Sequence, residues 1–193
     1  MPRTKEQNEA IRTEKRQLIM DSALQLFAEN GFEHTSIDKI AKHAGISKGL
    51  IYNYFKDKDD LLHQILISGM KTIFENLRSE ITMEDFVADS ESFFDYTLEN
   101  KEFFKLYTII SVQPRARQKI GIIRNESEHL RGTLINLFKK HFGDERAFQE
   151  ILLYSIVLKG FSIIAAFEDE QNSVFTDILK KTVVDFMKER YKQ

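Results

Sequence analysis

Residues 35–58 read TSIDKIAKHAGISKGLIYNYFKDK, and this stretch decides the fold. Its spacing predicts two short helices joined by a tight turn. Thr35 is placed to cap the first, with Asp38 three residues on to complete a capping box. Ile37, Ile40, Ala41 and Ala44 then share one helical face. Gly45 follows where a left-handed backbone costs glycine almost nothing. Ser47 caps a second helix carrying Ile51, Tyr54 and Phe55.

A helix-turn-helix needs a small residue where its helices cross, a turn glycine four residues later, and apolar residues flanking both. Ala41 and Gly45 fill the small and turn positions; Ile40, Ala44, Ile46, Ile51 and Tyr54 fill the apolar ones. An ordinary helical hairpin would meet the same geometry, but the charge argues against it. Residues 39–58 hold five lysines (39, 42, 48, 56 and 58) against Asp57, a balance of +4. Ser47, Lys48, Gly49, Leu50, Tyr52 and Asn53 face outward on the second helix, a small, polar and basic set suited to a DNA groove. Thr35 and Ser36, where the first helix begins, join them as DNA-contacting candidates.

GFEHTSIDKIAKHAGISKGLIYNYFKDKDDLL resembles the DNA-binding segment of the TetR family of bacterial transcriptional regulators. The likeness runs from about Arg16 to Leu62. It covers the Gly after helix 1, the Ile-Ala pair, the Gly-Ile-Ser turn, the Tyr-x-x-Phe pair and the Lys of the following helix. The resemblance implies phosphate contacts for Lys48, Tyr52 and Lys58. Asn53 and Leu50 are the candidates for base contact. Leu50 stands where such proteins often carry Thr or another small residue, and apolar contact with a thymine methyl is the use open to it.

The chain of 193 residues is long enough for one or two small domains with a sizeable core. Its net charge is only −2, so a nucleic-acid role rests on local charge; residues 1–58 carry +2 and the remainder −4. There is no cysteine, which excludes disulfides and thiolate metal sites and fits a reducing cytoplasm, and the first residues hold no apolar signal core. With two prolines and eight glycines, helical spacing dominates. The fold expected is all-α, about nine helices: a three-helix DNA-binding domain over residues 1–60, then a helical bundle over 61–193 that binds an effector and dimerises.

Helix 1 gains its apolar face at Ile19, Ala23, Leu26 and Phe27 and stops at Asn30-Gly31. Arg12, Lys15 and Arg16 are phosphate candidates or a solvated face, while Arg3 and Lys5 read as a loose tail. Leu62 to Leu77 mark the stripe of helix 4, expected to run to about Ser79. Residues 84–98 and 101–112 form two Phe-rich helices, and Pro114 suits the start of the seventh, with a stripe at Ile120, Ile123, Ser127, Leu130, Leu134 and Leu137. Helix 8, ILLYSIVLKGFSIIAAF, spans 17 residues from Ile151 to Phe167, short for a membrane crossing, which takes about 20. A helix apolar on all sides, followed by another with a broad double stripe from Val174 to about Tyr191, exceeds what one small domain covers. Ile156, Ile163, Phe167, Ile178 and Phe186 are therefore expected to form a homodimer interface.

An enzyme finds little support: no phosphate-binding Gly loop, nucleophile elbow or His-Glu-x-x-His occurs. The histidines at 34, 43, 63, 129 and 141 show no metal-ligand spacing, and neither a metal nor a cofactor is expected. The aromatics number 22, of which 17 lie beyond residue 58. A helical core explains any one of them. The resemblance implies a small-molecule effector inside the bundle, with Phe93, Phe94, Phe103, Phe104 and Tyr107 lining a mainly apolar pocket and Arg124 or His129 as polar contacts. The expectation is a cytoplasmic, homodimeric repressor released from operator DNA by that effector. Its rivals are an activator of the same fold and an effector-binding bundle with vestigial DNA contacts.

Overall fold

The structure is a computed structural model, and it describes residues 4–75, 81–113, 128–168 and 173–191. The expected helix start at Pro114, the stripe positions Ile120, Ile123 and Ser127, the extension of helix 4 through Leu77 to Ser79, and Arg3 and Arg124 lie outside the described residues. So do the side chains of residues 72–75, His129 and Leu130. Nine helices and no strand occur among the described residues: α1 Lys5–Asn30, α2 Ile37–His43, α3 Lys48–Tyr52, α4 Lys58–Glu75, α5 Met83–Glu99, α6 Lys101–Val112, α7 Glu128–Phe142, α8 Asp144–Phe167 and α9 Ser173–Arg190. They form two compact units, Met1–Ser68 and Gly69–Gln193, and the division falls inside α4.

In the first unit, α1 begins earlier than its apolar pattern suggests. Thr4 accepts from the Gln7 backbone and Gln7 answers on the Thr4 N–H, so Lys5 opens a capped helix and not a loose tail. The core is Ile19, Ala23 and Phe27 of α1 with Phe32, Ile40, Ile51, Phe55, Leu61 and Leu62, all buried. Arg16 is not an idle solvated residue. Its guanidinium lies over the Phe55 ring, 5.3 Å from the centroid, and donates to Gln64 at 2.7 Å, fastening α1 to α4.

In the second unit, Met83, Phe86, Phe94, Leu137, Phe138, Ala147, Phe161, Val184, Met187 and Tyr191 form one buried cluster. Gly69 allows the Phe103 ring to rest on the α4 backbone: a Cβ there would stand 2.2 Å from the ring. The Tyr96 hydroxyl donates to the Gly69 carbonyl at 3.3 Å. α8 starts seven residues before the apolar run, directly after Gly143 (φ 80°), because DERAFQE forms a polar first two turns. At 24 residues it is long and apolar enough to cross a membrane by length and composition, which corrects the shorter estimate. Its place in a bundle follows from its buried face, Ala147, Glu150, Phe161, Ser162, Ala165 and Ala166. Glu150, 2% exposed, is held by Arg146 at 2.9 Å and by two bonds from Arg190 at 2.7 and 2.8 Å. Burial pushes the Glu150 carboxyl up, but the Arg190 and Arg146 guanidiniums outweigh it and hold the group below its ordinary value.

Candidate nucleic-acid interface

α2 and α3 meet in a tight helix-turn-helix. α2 ends in a Schellman turn: the Ile46 N–H donates to the Ala41 carbonyl at 3.0 Å and the Gly45 N–H to Lys42 at 3.3 Å, with Gly45 left-handed at φ 65°. α3 is a single five-residue stretch, Lys48–Tyr52, capped by Ser47, whose hydroxyl accepts from the Leu50 N–H at 3.3 Å. Tyr54 and Phe55 follow it outside the helix. There the chain turns into α4: Asp57 accepts from the Asp60 N–H at 2.8 Å and Asp60 from the Lys56 N–H at 2.9 Å.

The cap of α2 is Ser36 and not Thr35. The Ser36 hydroxyl accepts from the Lys39 N–H at 3.3 Å, leaving Lys39 at the third helical position, so no capping box closes. Thr35 is 1% exposed and donates to the Gly31 and Leu26 carbonyls at 2.9 and 3.2 Å, which removes its side chain from the DNA-contacting set. Its role is to hold the turn after α1 against the helix end. Ser36 remains exposed beside the start of α2.

On α3 the predicted face is open. Lys48, Gly49, Tyr52 and Asn53 are exposed, Leu50 is half-buried, and a side chain added at Gly49 would meet nothing within 4 Å. Lys48 is engaged by Asp38, with its ammonium 2.8 Å from the carboxylate across the turn. That hydrogen bond and the carboxylate charge raise the lysine above its ordinary value. Counting charge from residue 39 passed over this acid; Asp38 stands one position before the window. A window opened at the first residue of α2 would have included it.

Lys58 is half-buried. Its ammonium donates to the Phe32 carbonyl at 2.7 Å and lies 4.2 Å from the centroid of the Phe32 ring. In this structure it fastens α4 to the turn after α1, a use that sequence spacing does not reveal because the partner is a backbone atom 26 positions away.

In the second unit the aromatics named for an effector pocket pack on one another. Phe104 meets Phe93 and Phe103 edge-on, at 5.6 and 5.3 Å between centroids, and Tyr107 stacks on Phe103 at 6.3 Å. Burial pushes the Tyr107 hydroxyl above its ordinary value. Phe94 is fully buried against Phe161 at 4.5 Å, a core residue and not a pocket lining. The five residues expected at a dimer interface, Ile156, Ile163, Phe167, Ile178 and Phe186, are all exposed. Phe148, Leu152, Val174 and Phe175 extend the same apolar surface.

Helices whose polar recognition face is open and whose turn carries the left-handed glycine define a protein of the helix-turn-helix class. Residues 19–65 match the sequence model of the bacterial regulatory proteins of the tetR family. The chain is 40% identical over 63 residues to the fatty acid metabolism regulator protein of Bacillus subtilis (strain 168), covering 33% of this chain and 32% of that protein. It is 52% identical over 52 residues to the HTH-type transcriptional regulator AcrR of Shigella flexneri, covering 27% and 24%. The match thus spans about a third or less of these curated relatives. The fold agrees over nearly the whole chain with a transcriptional regulator described as TerR/AcrR family from Aquifex aeolicus VF5, at 25% identity and TM-score 0.66, covering 90% of this chain and 98% of that one. Residues 19–65 therefore carry a segment similar to the DNA-binding part of the tetR family, and the fold of the whole chain is similar to that of a solved regulator.

Proposed function

We propose that the chain is a homodimeric repressor that binds operator DNA through α3 and is released by a small, largely apolar effector. The observation that carries this reading is the pairing of two unlike open surfaces: the polar and basic face of α3, and the apolar face of α8 and α9. Lys48 and Tyr52 position phosphates, and Asn53 and Leu50 read base edges. Two copies related by a two-fold axis present two α3 helices to successive major grooves, about 34 Å apart, on a near-palindromic site. Exposed apolar side chains at ten positions on two helices, among the described residues, call for a partner.

Release needs a ligand that prefers the undocked arrangement. α6 touches α4 through Phe103 at Gly69, so an effector that displaces the ring acts directly on α4. A hundredfold preference supplies about 2.7 kcal/mol, enough to turn a mostly bound repressor into a mostly free one. A ligand that binds both arrangements equally shifts nothing. By reciprocity, operator DNA weakens effector binding by the same factor.

A gel shift against the promoter beside the protein's own gene tests DNA binding, with random DNA as the control. Effector affinity measured with and without saturating operator tests release; unchanged affinity for a ligand seated in the bundle would refute it.

A further inference from the structure

On α8 the exposed apolar side chains Phe148, Leu152, Ile156, Ile163 and Phe167 lie on one helical face. The step from Ile156 to Ile163 skips one position on that face, and the residue there is Lys159, also exposed. On α9 the exposed positions Ile178, Thr182 and Asp185 advance by the same four-and-three spacing, with Phe186 beside them. The α8 seam therefore contains one cation, Lys159, and the α9 seam two acids, Asp185 and, four residues on, Glu189. Among the described residues, neither Lys159 nor Asp185 has an ion-pair partner in its own chain, whereas the flanking Lys180 and Lys188 pair with Asp95 and Glu91. A charge enclosed in an apolar seam without a counter-charge is strongly destabilising, so whatever covers Lys159 has to bring one.

The register of α8 on α9 fixes the heights. The Arg190–Glu150 bonds set those two residues level on antiparallel helices. At about 1.5 Å per residue, Lys159 stands about 14 Å above that level and Asp185 about 8 Å above it. A two-fold axis normal to the helices, through the middle of the exposed stripe on α8, crosses about 11 Å above it. Such an axis carries Asp185 of the partner subunit to about 15 Å, beside Lys159, while Glu189 of the partner subunit falls roughly 7 Å farther off.

We propose that Lys159 pairs with Asp185 of the partner subunit, twice in each dimer, and that this reciprocal pair selects a second copy of this chain over other chains with a similar apolar face. The inference rests on the homodimer reading above and names what makes the dimer self-selective. Opposite charges at matched heights satisfy each other only in the symmetric arrangement, and a chain lacking either one leaves the other buried and alone.

Sedimentation equilibrium of the full chain tests it. Lys159→Glu and Asp185→Lys each place like charges together twice, and each should raise the dimer dissociation constant about tenfold or more. The double variant Lys159→Glu/Asp185→Lys should return to within about threefold of wild type. Mixing the two single variants should yield the heterodimer in preference to either homodimer, read by native mass spectrometry, because only the heterodimer forms both pairs. Both positions are exposed in the protomer, and far-UV circular dichroism melts check that each variant stays folded. A wild-type dimer indifferent to the single changes, or a double variant no tighter than the singles, overturns the pair and leaves the dimer standing. A wild-type monomer at micromolar concentration overturns both.

Discussion

The faces of α3 and of α8 with α9 are both exposed, for opposite reasons. α3 presents Ser47, Lys48, Gly49, Tyr52 and Asn53, groups that water solvates well, so this face is stable when empty, and on the proposed reading it would bind by exchanging water and ions for phosphate. α8 and α9 present Phe148, Leu152, Ile156, Phe175 and Ile178, which water solvates poorly, so this face gains most by staying covered. On the proposed reading, the contrast separates a reversible contact with DNA from a standing one between two copies. It also separates their sensitivities: salt should govern the first and buried charge the second.

The largest break in that contrast is a charge placed on the apolar face. Ile163→Arg or Phe186→Arg should weaken the dimer by about 3–5 kcal/mol, since an unpaired guanidinium would be enclosed at the interface. Because both residues are exposed in the protomer, the variants should remain helical and sediment as monomers. Unaltered dimerisation of both would remove α8 and α9 from the interface.

Glu150→Gln sharpens the contrast from inside the same unit. It leaves Arg190 and Arg146 facing a neutral amide and should cost about 1–3 kcal/mol, less than a fully buried pair because both guanidiniums reach solvent. The sign with pH follows from a carboxyl held below its unfolded value. Its contribution is present above the unfolded value, near 4.5, and is lost as acid titrates the folded group. Melting of the wild type from neutral pH down to about pH 3 should therefore show an acid loss that Glu150→Gln lacks. Parallel curves would show that the carboxylate contributes nothing.

On the polar face, Asn53→Ala should narrow the gap between operator and random DNA by about 1–3 kcal/mol if the amide reads a base. Equal losses on both DNAs would reduce it to a backbone contact. The smallest effect belongs to Asp38→Asn. Freeing Lys48 from its carboxylate should tighten binding to all DNA and steepen the salt dependence by about one ion. Weaker binding would mean instead that Asp38 orients Lys48 on the phosphate.

The turn between α2 and α3 was legible because its causes are local. A glycine able to adopt φ 65°, a small residue at the crossing and apolar residues at fixed offsets specify it within about a dozen positions. Helix type was legible for the same reason, and so was the apolar excess of α8 and α9, since periodicity shows when a helix has more apolar surface than one neighbour covers. Helix boundaries were less so. The polar first turns of α8 carry no apolar signal, and either Thr35 or Ser36 satisfies the sequence rule for a cap.

What the sequence could not assign was how each polar or aromatic side chain is used. Lys58, a phosphate contact by the resemblance, is bound to a backbone carbonyl; Arg16, a phosphate candidate or part of a solvated face, lies over the Phe55 ring. Thr35 is buried, and Phe94 fills the core. Three of these outcomes depend on a partner far along the chain: Phe32 for Lys58, Gln64 for Arg16, Phe161 for Phe94. Local propensity acts over three or four residues and therefore fixes which helices form. Only tertiary packing, which brings distant residues within hydrogen-bond and van der Waals range, decides which of their side chains remain free to meet DNA or a second copy.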